Sequence, residues 1–226
     1  MENALIRSSR LFGAAALVVA AVWLYLVVQA PEEQIQGVVQ KIFYAHVPRW
    51  LPAYLGFFLT ATGGAGFLIT RNETWDRLAE AAAEVGIVFC TLGLITGPIW
   101  AKPVWGTWWV WDLRLTSTLI LWFVYVAYLL LRGFAYGSNT ARNFASVYGI
   151  LGTLLIPLVF FAVELAQGNA LHPSDPARES GGLPPGMARA LHAGFIAYLL
   201  GFVALLGMRI EIGQLESARE ETQWAS

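Results

Sequence analysis

The sequence predicts an all-α membrane protein with six transmembrane helices and both termini in the cytoplasm. Three observations carry this. The 226 residues are 57% hydrophobic and only 13% charged, where a soluble domain carries about 25% charged residues. So few charges cannot coat a water-facing surface, and mean hydropathy is correspondingly high at +0.58. Six stretches are free of charge, each close to the roughly 20 apolar residues that a bilayer crossing needs. Backbone amides in hydrocarbon must bond internally, so these stretches are helices rather than open sheet. The alternating pattern of a membrane barrel is absent.

The first stretch is 11–30. Arg7 and Arg10 make a basic start, and "VQA" at 28–30 looks cleavable. The apolar core outruns the usual 7–15 residues of a signal peptide, so it reads as an uncleaved first span. The remaining spans lie between charges. Arg49 and Arg71 enclose 50–70; Glu84 and Lys102 enclose 85–101; Arg114 and Arg132 enclose 115–131. Arg142 and Glu164 enclose 143–163, and Arg189 and Arg209 enclose 190–208. Residues 1–210 thus form one six-span membrane domain, and 211–226 a charged cytoplasmic tail, either a helix end or a disordered piece.

With Arg7 and Arg10 inside, the tryptophan-rich segment 102–116 and the Gly- and Pro-rich loop 164–189 fall outside. The positive-inside bias is weak, because Lys41, Arg49, Lys102, Arg114, Arg178 and Arg189 also fall outside. Cations beside spans either snorkel or bind an anion. "GLITG" at 93–97, "TGGAG" at 62–66 and Pro52, Pro98 and Pro157 read as packing and kink features of membrane helices. The lone Cys90 lies in an apolar run and reads as an inert buried thiol; no disulfide or CxxC cluster is available. A net charge of −1 offers no basic footprint for nucleic acid.

All three histidines, His46, His172 and His192, fall on the outer face in this topology, as does "WGTWWVWDLRLT" at 105–116. Neutral imidazoles ligate transition metals, and two of them can hold a haem iron axially. Indoles shelter a flat apolar macrocycle, and Arg49, Lys102 or Arg114 could neutralise propionates. If the tryptophan piece is helical, Trp105, Trp108, Trp109 and Asp112 share one face and Trp111 points elsewhere. Plainer readings stay open at this point. The tryptophans could be interfacial anchors, the histidines packing residues, and Asp112 and Arg114 each other's partner.

The motif at 105–116 closely resembles the tryptophan-rich signature of haem-handling proteins in cytochrome c biogenesis. "FYAHVP" at 43–48 resembles their first histidine motif, and "LHP" at 171–173 with six spans resembles the smaller branch, the haem exporter protein C family (CcmC). The resemblance covers almost the whole chain. It implies a subunit that presents haem at the outer face of the bacterial inner membrane and promotes its attachment to a membrane-anchored haem chaperone. It further implies a complex with an ATPase subunit, a second membrane subunit and a small single-span subunit. His46 and His172 would be the axial ligands of a transient, non-covalent b-type haem. Trp105, Trp108, Trp109, Trp111 and Asp112 would form the platform, with Arg49 and Arg114 at the propionate edge. His192 matches no family motif. The chain has no P-loop, no Ser/His/Asp or paired-carboxylate arrangement and no CxxCH, so neither ATP hydrolysis, nor enzymatic catalysis, nor covalent haem is expected of it. The alternatives are an electron-transfer cytochrome b subunit, and a non-haem permease or structural assembly subunit.

Overall fold

The computed structural model describes residues 2–134, 138–166, 172 and 182–224. Among them, helix is the only regular structure apart from one isolated bridge between Glu33 and Gly37. The helices are α1 (Glu2–Gln29), a 3-10 turn at Val38–Lys41, α2 (Ile42–His46), α3 (Trp50–Thr70), α4 (Glu73–Trp105), α5 (Leu113–Phe134), α6 (Asn139–Thr153), α7 (Leu155–Phe160), α8 (Ala162–Leu165) and α9 (Pro185–Trp224). Six helical stretches are long and apolar enough to cross a membrane: Ser8–Gln29, Val38–Thr70, Glu73–Trp105, Leu113–Phe134, Asn139–Phe160 and Pro185–Glu216.

Local chemistry explains the boundaries. Arg71 takes the left-handed conformation at φ 59° and closes α3. Asn72 then caps α4, its side chain accepting from the Thr74 amide at 2.9 Å. Ser138 caps α6 in the same way. Gly106, at φ 76°, ends α4 as a left-handed C-terminal residue should. α6 passes into α7 at Leu154, where Pro157 lacks the N–H that would bond the Thr153 carbonyl.

The bundle packs through small residues. A Cβ on Gly56 would lie 2.7 Å from the Cα of Gly86, and one on Gly63 would lie 2.8 Å from the Ala79 amide. So α3 and α4 approach backbone to backbone, as membrane helices do where side chains are small. Phe57 of α3 stacks on Tyr125 of α5 at 3.8 Å. The Tyr125 hydroxyl reaches Thr153 Oγ1 at 2.6 Å and the Gly149 carbonyl at 3.1 Å on α6. α1 packs chiefly on α9.

Alternating helix directions give the bundle two chemically different ends. One end gathers residues 30–49, 105–113, 161–166 and 172 and the start of α9. It is tied by Lys41 Nζ to the Val28 carbonyl at 2.8 Å, Trp100 Nε1 to Gln36 Oε1 at 2.9 Å, and Arg114 Nη2 to the Phe160 carbonyl at 3.0 Å. The other end holds an ion network. Arg132 of α5 grips Asp76 of α4 through two bonds of 2.6 and 2.9 Å and reaches Glu80 at 3.0 Å. Arg142 of α6 meets Glu73 at 3.0 Å, and Arg209 of α9 binds Glu84. These acids explain why α4 begins well before the charge-free window 85–101: the carboxylates that bound that window are helical and paired. α9 likewise continues through the charged segment after 210 as one helix of 40 residues. Most of loop 164–189, including Leu171, Pro173 and Arg178, lies outside the described residues.

Candidate functional site

His46 closes α2, and the chain turns through Val47 and Pro48 directly into α3. The ring is buried, 7% exposed. Its Nδ1 lies 2.8 Å from Arg49 Nη2 and 3.1 Å from Thr96 Oγ1. Its Nε2 lies 3.3 Å from the indole nitrogen of Trp50. The ring of Trp100 stands 5.7 Å away.

Arg49, expected on the outer face beside the second span, is not at the surface. It is fully buried, donating through Nη1 to the Ala45 carbonyl at 2.9 Å, with its guanidinium 5.2 Å from the Trp50 ring. In this geometry it faces the imidazole rather than the surface where a propionate edge was expected.

The "GLITG" stretch makes this burial possible. A Cβ on Gly97 would come within 3.1 Å of His46 Cε1. One on Gly93 would lie 2.5 Å from Trp50 Cη2 and 3.2 Å from Arg49 Nη2. The two glycines form the floor beneath His46, Arg49 and Trp50. Gly93→Ala is therefore expected to destabilise the fold by about 1–3 kcal/mol through overpacking. Gly201→Ala, where a Cβ meets nothing within 4 Å, should show no loss. Thermal unfolding midpoints in detergent check the pair.

The tryptophan stretch is not a helix. α4 stops at Trp105 and α5 starts at Leu113, so Trp105, Trp108, Trp109 and Asp112 do not share a helical face. Gly106 is the physical reason: its left-handed turn lets the Lys102 side chain bond the Gly106 carbonyl at 2.9 Å. Trp108 and Trp111 are exposed at 57% and 76%, and Trp109 meets Trp111 edge to face at 5.8 Å. Asp112 does not pair with Arg114. Its Oδ1 accepts from the Leu115 amide at 2.8 Å and caps α5. Arg114 instead turns to His172, its Nη1 lying 3.1 Å from Nδ1.

His172 also packs edge to face on Trp105 at 6.1 Å. Thus His46 stands against Trp100 and His172 against Trp105, both on the last turns of α4. His192 is exposed on α9. Sequence reasoning missed Trp50, Thr96 and Trp100, and read Gly93 and Gly97 as packing residues without the partners they pack against. The offset of four from His46 to Trp50 was a readable signal; the approach of α4 was not.

The family model described as Heme exporter protein C (CcmC) matches residues 3–225. The chain belongs to the Heme exporter protein C family. Among its curated relatives, Heme exporter protein C of Bradyrhizobium diazoefficiens is 35% identical over 204 residues, covering 88% of this chain and 76% of that one. Heme exporter protein C of Escherichia coli (strain K12) is 32% identical over 198 residues, 87% of this chain and 79% of that one. A Marchantia polymorpha protein named as a putative cytochrome c biosynthesis ccmC-like mitochondrial protein is 36% identical over 143 residues, 63% of this chain and 59% of that one.

The donor set of this family member suits a metal that arrives inside a macrocycle. Among the described residues, no group of three or more His, Cys, Asp or Glu could hold a bare ion. Imidazole is one of the axial ligands that a porphyrin iron accepts. Trp109 Nε1 and Asp112 Oδ2 are buried without a hydrogen-bond partner among the described residues, which leaves one donor and one acceptor at the platform for an incoming polar group.

Proposed function

We propose that this protein is a haem-binding subunit of a cytochrome c maturation complex. It holds a non-covalent b-type haem transiently between His46 and His172 and hands it to a membrane-anchored haem chaperone. The observation that carries this reading is that each of the two imidazoles stands against an indole of the final turns of α4. The family's name, Heme exporter protein C, supports the haem, and the Marchantia relative's name supports the pathway.

In this reading both termini are cytoplasmic, and the histidine end faces the periplasmic side of the bacterial inner membrane. The ATPase subunit, a second membrane subunit and a small single-span subunit complete the assembly. Each protein group has a distinct task. His46 and His172 would supply nitrogens to the iron, and the exposed Trp108 and Trp111 would cover the macrocycle; Arg114, a donor only, would have to leave His172 Nδ1 before Nε2 could ligate. The haem itself brings the vinyl group that the chaperone captures. His46 is buried, so the Trp50 indole facing Nε2 has to yield before iron can reach that nitrogen.

The test is an optical spectrum of the protein purified with its partner subunits, followed by addition of the haem-free chaperone. A Soret band that moves from this chain to the chaperone supports the reading. A preparation that neither carries nor takes up haem overturns it.

A further inference from the structure

The polar groups around His46 make two incompatible demands on one ring. A neutral imidazole has one N–H and one acceptor nitrogen. Arg49 has only donors, so its 2.8 Å contact requires a lone pair on Nδ1 and hence the proton on Nε2. Thr96 asks the opposite. Its hydroxyl has a single proton; when that proton goes to the Leu92 carbonyl at 2.9 Å, Thr96 offers a lone pair towards Nδ1, 3.1 Å away. That contact requires the proton on Nδ1. Trp50, a donor only, lies 3.3 Å from Nε2 and requires a lone pair there.

Two self-consistent arrangements follow. In the first, Arg49 holds Nδ1, Nε2 carries the proton, and the Trp50 contact is not a hydrogen bond. In the second, Nδ1–H donates to Thr96, Nε2 presents its lone pair to Trp50, and Arg49 stands off. Only the second leaves Nε2 able to ligate. Metal-bound histidines generally donate their other N–H to an acceptor, which is the place Thr96 occupies. Arg49 occupies the same place with the opposite polarity.

We propose that Arg49 and Thr96 are paired positioning residues that select the tautomer of His46: Thr96 holds the ring competent to bind haem, and Arg49 converts it to the form that lets haem go. The proposal rests on His46 being a haem ligand. It explains why a cation is fully buried against an imidazole, an arrangement that costs stability unless it serves the site.

The experiment compares full-length wild type, Arg49→Met and Thr96→Val in detergent micelles. Haem loss is followed by transfer of bound haem to excess apomyoglobin. Arg49→Met is expected to release haem about tenfold more slowly and Thr96→Val about tenfold faster, the scale of effects from groups bonded to a metal ligand. A merely structural seat predicts faster loss from both, so same-sign or null effects overturn the proposal. Nitrogen-15 spectra of histidine-labelled, haem-free protein give a second readout. Wild type is expected to show the Nε2–H form of His46 and Arg49→Met the Nδ1–H form; a wild type wholly in the Nδ1–H form overturns the role of Arg49 even if the variant fails to fold. If His46→Gly retains haem as wild type does, the ligand reading itself has failed. If it loses haem while the tautomer results go the wrong way, only this inference has.

Discussion

Replacing His46 with glycine is expected to strip haem from the protein, and imidazole added in solution is expected to restore it. Groups that merely bond a metal ligand change metal affinity about 10–100-fold. Removing the ligand itself should therefore weaken haem retention by roughly a hundredfold or more. The restoration is what separates a ligand from a packing residue. His46 is enclosed by Trp50, Trp100, Thr96 and Arg49, so its deletion leaves a ring-shaped space with polar groups already aimed into it. Free imidazole fits that space and presents the same nitrogen. His172→Gly should lose haem comparably, with less effect on stability, because its ring is less enclosed and packs on Trp105 and Arg114. The measurement is the ratio of Soret to protein absorbance, with and without imidazole. Full haem in both variants would remove the ligand assignment.

The second large effect lies at the opposite end. Asp76→Ala is expected to destabilise the bundle by about 3–5 kcal/mol, the usual consequence of deleting one partner of a buried ion pair. Asp76 is 3% exposed, and the side chain of Arg132 is 9% exposed. Without Asp76, Arg132 keeps one acidic partner among the described residues, Glu80, whose side chain is 31% exposed, and Arg142 loses its 3.5 Å contact. Asp76 also sits in the first turn of α4, where a negative charge faces the helix dipole favourably. The double variant Asp76→Leu with Arg132→Met should recover most of the loss, since well-packed apolar pairs replace buried ion pairs at little cost. Unfolding midpoints in detergent decide the matter; a loss in Asp76→Ala that the double variant does not recover would contradict the account.

The helical membrane architecture was legible because hydrocarbon admits little else: six uncharged runs of the right length leave helix as the economical answer. The limits of that reading are physical too. Charge was taken as a border, yet Asp76, Glu80 and Glu84 all lie within α4, neutralised by arginines from α5, α6 and α9 that are remote in sequence. The same logic set Arg49 on the outer face as a border of the second span, whereas Gly93 lets it sink beneath His46. At the tryptophan stretch, periodicity suggested a helical face, and the single left-handed residue Gly106 broke it. His46 and His172 were readable as candidates from residue type and motif. Their approach to neighbouring turns of α4 was not, because it depends on how three separate segments fold over one helix end.

α9 carries one consequence beyond its role in packing. Forty residues at 1.5 Å each make a rod about 60 Å long, roughly twice the hydrocarbon thickness of a bilayer. It starts beside Pro31 and is tied to Glu84 by Arg209. A stiff member of that length acts as a lever: a few degrees of lean imposed on its charged extremity displaces the opposite tip by ångströms, with no hinge in between to absorb the motion.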